Sequence, residues 1–178
     1  MATREQIDEL LAKMEEERAP LLAQARALTD EEAARRPEGQ TGEAEWSAKE
    51  QLAHLWEMER SYIAWVKKAL EENGADLTGV RGESVAIPIE RANEHTVAEL
   101  TAALEREREG TLAFIRSLSP EDFDRTASQP MFGELTVLQW LRSFYRHDRM
   151  HTDQVAGREP AYRPRFLSGV EPDQRRRS

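Results

Sequence analysis

The chain contains no cysteine, and this absence excludes several kinds of site. Without thiols there are no disulfides, no thiolate metal ligands and no cysteine nucleophile. The sequence also lacks a run of about 18 apolar residues, the length that a transmembrane helix needs. Its first residues, MATREQIDELLAKMEEERAP, lack the apolar stretch of a signal peptide. We therefore expect a cytoplasmic protein without a membrane partner, in which any metal is held by His, Asp or Glu.

Positive charge is scarce, because the formal net charge is −9. The basic residues are concentrated at the C-terminus, where residues 158–178 hold six arginines against three acidic residues. Phosphate neutralisation needs a cationic face, so nucleic acid is excluded as the main partner. We expect the run Arg175–Arg177 to be a frayed terminus rather than a binding patch.

Apolar residues at helical spacing predict four long helices, at about 4–28, 47–73, 96–118 and 136–157. The second and third open with capping boxes, in which Ser47 pairs with Glu50 and Thr96 with Glu99. Pro20 predicts a kink or a break in the first helix near Ala19. We interpret residues 1–157 as one all-α domain, a four-helix bundle, and residues 158–178 as an irregular Arg-rich tail.

The connecting segments carry turn residues and short caps. Thr29 predicts the start of a short helix, and Pro120 predicts a short helical turn. Residues 75–95 form a long connection with several Gly and Pro residues, which we interpret as loop. The segment SQPMFGEL is interpreted as loop for the same reason.

Two of the four histidines, His147 and His151, lie four residues apart in the last predicted helix. On a helix they share one face, roughly 6 Å apart, with Trp140 and Phe144 on the same stripe. His54 lies in the second predicted helix, on a stripe that also points inward. Imidazoles are costly to bury unless their nitrogens are satisfied, so three core-facing histidines call for an explanation.

A metal site explains this pattern chemically. Two imidazoles one turn apart can bind one ion from the same side, and a third from a facing helix leaves coordination positions open. The alternative is that His54, His147 and His151 are buried histidines whose nitrogens bind carboxylates or the backbone. Spacing alone leaves both readings open.

The positions of the three histidines along their helix axes predict how the helices are connected. His54 lies roughly 9 Å from the start of its helix, and the midpoint of His147 and His151 lies roughly 12 Å from the end of theirs. Antiparallel packing of the second and fourth helices would therefore bring the three to one level. The second and third helices must then run parallel, joined by a crossover through residues 75–95, which can reach about 70 Å.

The stretches WSAKEQLAHLWEMERSYI and GELTVLQWLRSFYRHDRMHTDQV together resemble the DinB/YfiT-like superfamily. The matching positions are Trp46, Ser47, Glu50, His54, His147 and His151. The resemblance implies a four-helix bundle with a crossover, a divalent metal such as zinc or nickel on the three histidines, and a homodimer. Members have been described as metal-dependent hydrolases, and a related branch uses low-molecular-weight thiols as cosubstrates in thiol transfer. The Arg-rich tail is not part of the family pattern.

Several other residues are candidates for the site. Glu57 is the candidate catalytic base, since it follows His54 by three residues, but an ordinary solvated glutamate is the alternative. Asp148 and Asp153 are candidate partners of the histidines, and Glu57 or Asp148 is a candidate fourth metal ligand. Trp46, Trp56, Trp65 and Trp140 are expected in the core rather than in a substrate pocket, and the EREREG face of the third helix is expected to face solvent.

Two functions remain open at this point. The first is a metal-dependent enzyme, a hydrolase or a low-molecular-weight-thiol S-transferase, acting on a small molecule. The second is a non-catalytic bundle that binds a small ligand or partner and holds a structural metal. A closed fourth coordination position would favour the second.

Overall fold

The computed structural model describes residues 1–171. Its helices are α1 (Arg4–Arg26), α2 (Asp30–Ala34), α3 (Ala48–Glu71), α4 (Val97–Arg116) and α5 (Val137–Val155). Its strands are β1 (Ala75–Asp76), β2 (Thr126–Gln129) and β3 (Gly133–Thr136), and 3-10 turns cover Gly42–Glu45, Ile89–Glu94 and Pro120–Asp124. The four-helix bundle predicted from the sequence is confirmed, with α1, α3, α4 and α5 as its long helices.

The long helices begin where side chains satisfy their first backbone N–H groups. Thr3, Ser47, Thr96 and Thr136 each accept a hydrogen bond from the N–H three residues later, and each forms a complete capping box. Such a box satisfies two N–H groups that a helix cannot pair internally. The predicted starts of the last three long helices are therefore confirmed.

The directions of the helices follow from their contacts. Along α3, Gln51 meets His151, Tyr62 meets Phe144 and Trp65 meets Trp140, so α3 and α5 are antiparallel. Residues that follow one another along α3 contact residues in the same order along α4. Glu59 of α3 binds Arg108 and Lys67 stacks over Phe114, so α3 and α4 are parallel. Both predictions about helix direction are confirmed.

The crossover between α3 and α4 runs back along the length of α3. Trp65 Nε1 donates to the carbonyl oxygen of Val80 at 2.9 Å, near one end, and Ser47 Oγ donates to Asn93 Oδ1 at 2.6 Å, near the other. Gly82 lies so close to α3 that a Cβ atom there would stand 2.4 Å from the backbone carbonyl carbon of Arg60. The crossover is thus packed against the bundle throughout.

A buried charged layer separates two apolar clusters of the core. One cluster includes Met14, Tyr62 and Phe144, and the other includes Leu21 and Leu52. Between them along the helices lie four charged residues, each less than 5% exposed: Arg18, Glu59, Arg108 and Asp148. Both carboxylates accept hydrogen bonds from both arginines, at 2.7–3.1 Å. The charges balance, as buried ions require.

Three details of the sequence interpretation are wrong. The predicted break near Ala19 is absent, because α1 continues through Pro20, which is exposed and removes only one backbone hydrogen bond. The alternative of a kink there stays a prediction. Residues 75–76 and part of SQPMFGEL form strands, with β1 parallel to β2 and β2 antiparallel to β3. Arg108 in EREREG is buried, because its guanidinium binds Glu59 and Asp148.

The four tryptophans are all at least 93% buried, which confirms the core interpretation. Within residues 1–171, none of the helices has the length and apolar character needed to cross a membrane.

Candidate metal centre

Four buried side chains converge between α3 and α5. Glu43, His54, His147 and His151 each offer one donor atom, and these four atoms lie within 4.8 Å of one another. All four residues are at least 92% buried. The structure thus brings together the three histidines that the sequence singled out and adds a carboxylate.

Three elements position these donors. His147 and His151 lie one turn apart on α5, with their Nε2 atoms 3.0 Å from each other, and His54 faces them from α3. Glu43 belongs to the 3-10 turn before α3. Its Oε2 lies 3.0 Å from His151 Nε2 and 3.3 Å from His147 Nε2, and its Oε1 lies 3.2 Å from His54 Nε2.

The orientation of His151 is fixed by Gln51, one turn before His54 on α3. Gln51 Nε2 donates to the carbonyl oxygen of Trp46 at 3.2 Å, which directs Gln51 Oε1 toward His151 Nδ1 at 2.9 Å. An amide oxygen only accepts, so Nδ1 of His151 carries the proton. The unprotonated Nε2 therefore points at the other donors, as a metal ligand must.

The donor set fits a divalent ion. Donor atoms about 2.1 Å from a tetrahedral ion stand roughly 3.4 Å apart. The Nε2 atoms of His147 and His151 are 3.0 Å apart, the nitrogen–carboxylate separations are 3.0–3.3 Å, and all four donor atoms lie within 4.8 Å of one another. His54 Nε2 is buried and has no hydrogen bond, although Glu43 Oε1 is near it. A buried imidazole lone pair aimed at a carboxylate and two other imidazole nitrogens is the arrangement that a cation satisfies.

The charges of the group also favour a cation. Burial would raise the pKa of Glu43, but the neighbouring imidazoles of His54, His147 and His151 hold it well below its usual range. Burial lowers the pKa of His151 to about 4, against an opposing effect of Glu43 and with a smaller contribution from the neighbouring His147. At neutral pH the group therefore offers an ionised carboxylate and a neutral imidazole, the protonation states that bind metal.

The other sequence candidates lie elsewhere. Glu57 Oε1 accepts a hydrogen bond from the Ile89 N–H at 3.1 Å, so Glu57 holds the crossover and is not one of the four converging donors. Its role as catalytic base stays a prediction. Asp148 binds the buried arginines, and Asp153 binds Arg158 and the N–H of Ala161. Glu50 serves its capping box and pairs with Arg36.

Glu43 was missed by the sequence interpretation. It lies in TGEAEW, a short turn without periodicity, so no pattern marks it as inward-facing. Its backbone N–H donates to Glu171 Oε1 at 3.0 Å, a contact across 128 positions that local sequence does not reveal.

Two openings have members of the centre in their walls. A cavity of about 430 Å³, which we call the arginine cavity, has Glu43 and His147 in its wall together with Arg146, Arg163 and Arg165. An open groove of about 680 Å³ reaches His54 and Glu57 along the crossover. Met58 and Met131 line both, so the two openings adjoin each other beside the centre.

Comparisons with known proteins agree with this fold. YuaE of Bacillus subtilis (strain 168), an uncharacterized protein, is 28% identical over 141 residues, which cover 73% of this chain and 85% of YuaE. The solved structure of YfiT from Bacillus subtilis matches with a TM-score of 0.68 at 19% identity, covering 88% of this chain and 87% of YfiT.

The four-helix bundle protein TT2238 matches with a TM-score of 0.60 at 23% identity, covering 85% of this chain and 98% of that chain. At these identities the two structures support the fold alone. The sequence profile of the DinB superfamily matches residues 2–155, nearly the whole described chain. The chain therefore belongs to the DinB superfamily.

Proposed function

We propose that this protein is a divalent-metal-dependent enzyme that acts on a small molecule, by hydrolysis or by transfer of a low-molecular-weight thiol. The observation that carries the proposal is the convergence of three imidazoles and one carboxylate where two openings meet. YfiT is described as a probable metal-dependent hydrolase, which supports hydrolysis as the first reaction to test.

His54, His147 and His151 would hold the ion, and zinc or nickel suits such imidazole donors. A bound divalent ion supplies Lewis acidity, which lowers the pKa of water or of a thiol and polarises a carbonyl oxygen. The chain has no cysteine, so a thiol cosubstrate would come from solution.

Two side chains of the cavity are suited to move or hold protons. Glu43 is ionised and lies within 3.3 Å of all three Nε2 atoms, so its carboxylate can accept a proton from a nucleophile that reaches the centre. Burial raises the pKa of Tyr62 far above its usual range, so its phenol stays protonated in the cavity wall. It can donate a hydrogen bond to a substrate oxygen.

The test is a screen of the protein reconstituted with zinc or nickel, using ester and amide substrates and thiols with electrophilic acceptors. We expect turnover that requires the metal and is lost in His54→Ala. His95→Ala is the matched control, because His95 lies outside the centre, 3.6 Å from Glu99, and should keep full activity. Equal turnover with and without metal would contradict the proposal.

One observation favours a second candidate, a non-catalytic bundle with a structural metal. Glu43 is placed where it can close the fourth coordination position, as structural sites require. The variant Glu43→Gln separates the two. An enzyme in which Glu43 accepts protons loses turnover but keeps the metal, whereas a structural site loses metal affinity and thermal stability together.

The homodimer and the cytoplasmic location stay predictions. Sedimentation of the metal-loaded protein tests the homodimer. Every donor of the proposed site comes from one chain, so the activity per chain should not depend on protein concentration.

A further inference from the structure

The arginine cavity next to the metal centre combines three kinds of wall. One end carries Glu43 and His147 of the centre. The apolar part is formed by aromatic, methionine and aliphatic side chains from the bundle, the β-hairpin and the C-terminal segment: Met58, Tyr62, Met131, Phe132, Leu135 and Phe166. The third part is cationic and holds Arg146, Arg163 and Arg165.

The cationic wall stands out in a chain whose formal net charge is −9. Glu43 is the one acidic residue in the cavity lining, against three arginines. Arg163 pairs with Glu159, but Arg146 and Arg165 form no ion pair with any carboxylate of residues 1–171. Arg146 contacts the rings of Tyr145 and Tyr162 instead. A guanidinium has five N–H donors, so both arginines keep donors without a carboxylate partner for an anion that enters the cavity.

The C-terminal segment, residues 158–171, supplies two of these arginines and is fixed to the bundle at several points. The N–H of Ala161 donates to Asp153 Oδ2 at 3.1 Å, and the N–H of Leu167 donates to the Met131 carbonyl at 2.8 Å. The rings of Phe166 and Phe132 lie 5.2 Å apart. Although irregular, this segment thus forms a built wall of the cavity.

The segment lies outside residues 2–155, which match the family profile. Its arginines are consequently a property of this chain beyond the shared bundle. A wall from outside the shared bundle that lines the same cavity as Glu43 and His147 is suited to select the substrate.

We propose that the arginine cavity binds a small anionic substrate, with an apolar body against the aromatic wall and a carboxylate or phosphate on the arginines. The reacting group then points to Glu43 and His147. The anion binding stands on the cavity itself, and only the placement of the reacting group rests on the proposed function.

The test measures binding directly, by calorimetry, with three probes of similar shape: phenylacetate, phenyl phosphate and the neutral phenylacetamide. Each is titrated into metal-loaded and metal-free protein. The cavity variants are Arg146→Gln and Arg165→Gln. Arg116→Gln is the control, because it removes the same charge from an exposed site on α4 outside the cavity.

We expect at least one anion to bind about tenfold more tightly than phenylacetamide, with an affinity that falls as salt is raised. Each cavity variant should bind that anion about three- to tenfold more weakly than the wild type. In Arg116→Gln the affinity for the anion should stay within about twofold of the wild-type value. Stronger binding of one anion identifies the headgroup as carboxylate or phosphate.

Three results would overturn the proposal: no binding of any probe at millimolar concentration, equal binding of the anions and the amide, or cavity variants that behave like Arg116→Gln. In the last case, an anion that binds the metal-loaded protein but not the metal-free protein would be held by the metal ion and not by the arginines. Failure of the proposed function would look different, because anion binding would persist without any metal-dependent turnover.

Discussion

Gln51 Oε1 lies 2.9 Å from His151 Nδ1, across the interface between α3 and α5. The contact fixes which nitrogen of His151 carries the proton, because the Gln51 amide nitrogen is already bound to the carbonyl oxygen of Trp46. A residue outside the four converging side chains thereby sets the direction of one of them.

The variant Gln51→Leu should bind zinc about 10- to 100-fold more weakly than the wild type, since His151 loses the acceptor that orients it. Gln51→Glu keeps an acceptor for His151 but loses the donor to the Trp46 carbonyl, so its affinity should lie between those of Gln51→Leu and the wild type. Competition against a chromophoric chelator measures both. Wild-type affinity in Gln51→Leu would mean that the contact does not orient a ligand.

The buried charged layer should be intolerant of losing one member. Arg108→Met leaves Glu59 and Asp148 with one arginine in the core, and we expect the free energy of unfolding to fall by roughly 3 to 5 kcal/mol. Arg116→Gln, an exposed change on the same helix, should cost less than about 1 kcal/mol. Urea unfolding of the metal-free protein measures both, and similar losses in the two variants would contradict the prediction.

The same layer predicts a pH dependence. Burial would raise the pKa of Glu59, but the charges of Arg108 and Arg18 hold it below its usual range. A carboxyl with a lowered folded-state pKa contributes stability that is present above its unfolded pKa and is lost as the pH falls through the folded value.

The advantage of the wild type over Glu59→Gln in unfolding free energy should therefore be constant at neutral pH and shrink below pH about 4.5. The matched variant Glu31→Gln neutralises a carboxylate whose side chain is 81% exposed. Its difference from the wild type in unfolding free energy should not change with pH in this way. Urea unfolding across this pH range checks the prediction, which fails if the advantage of the wild type persists undiminished in acid.

Close packing of the crossover on α3 predicts opposite effects for two Gly→Ala changes. A Cβ at Gly82 would meet backbone atoms of Arg60 and Ser61 at 2.4–2.5 Å, so Gly82→Ala should lower the unfolding free energy by about 1 to 3 kcal/mol. Gly110 lies within α4 with open space around it, so Gly110→Ala should raise the unfolding free energy by up to about 1 kcal/mol. Thermal unfolding of both variants tests the prediction. A Gly82→Ala variant with wild-type stability would contradict it, since the crossover would then be able to move away from α3.

The sequence predicts the bundle well because long helices have a strong signature. Capping residues such as Ser47 and Thr96 mark their starts, and the positions of the three histidines along their helices favour the antiparallel pairing of α3 and α5 that the structure has. The strands escaped prediction because they have only two to four residues, too few for a period of two to register.

The site could be predicted only where it lies on helices. His54, His147 and His151 follow a helical stripe, whereas Glu43 reaches the centre from a 3-10 turn, and Arg163 and Arg165 reach the cavity from irregular chain. Their positions depend on contacts distant in sequence, such as that of Glu171 with Glu43. The run Arg175–Arg177 lies outside the described residues.

The central claim is that His54, His147 and His151 form one divalent metal site per chain. Its most direct test is the stoichiometry and affinity of zinc and nickel binding, measured on the wild type, His147→Ala and the control His95→Ala. The account predicts one ion per chain in the wild type and in His95→Ala, and loss of that ion in folded His147→Ala. A folded wild type without divalent-metal affinity, or a His147→Ala variant that binds as the wild type does, would contradict it.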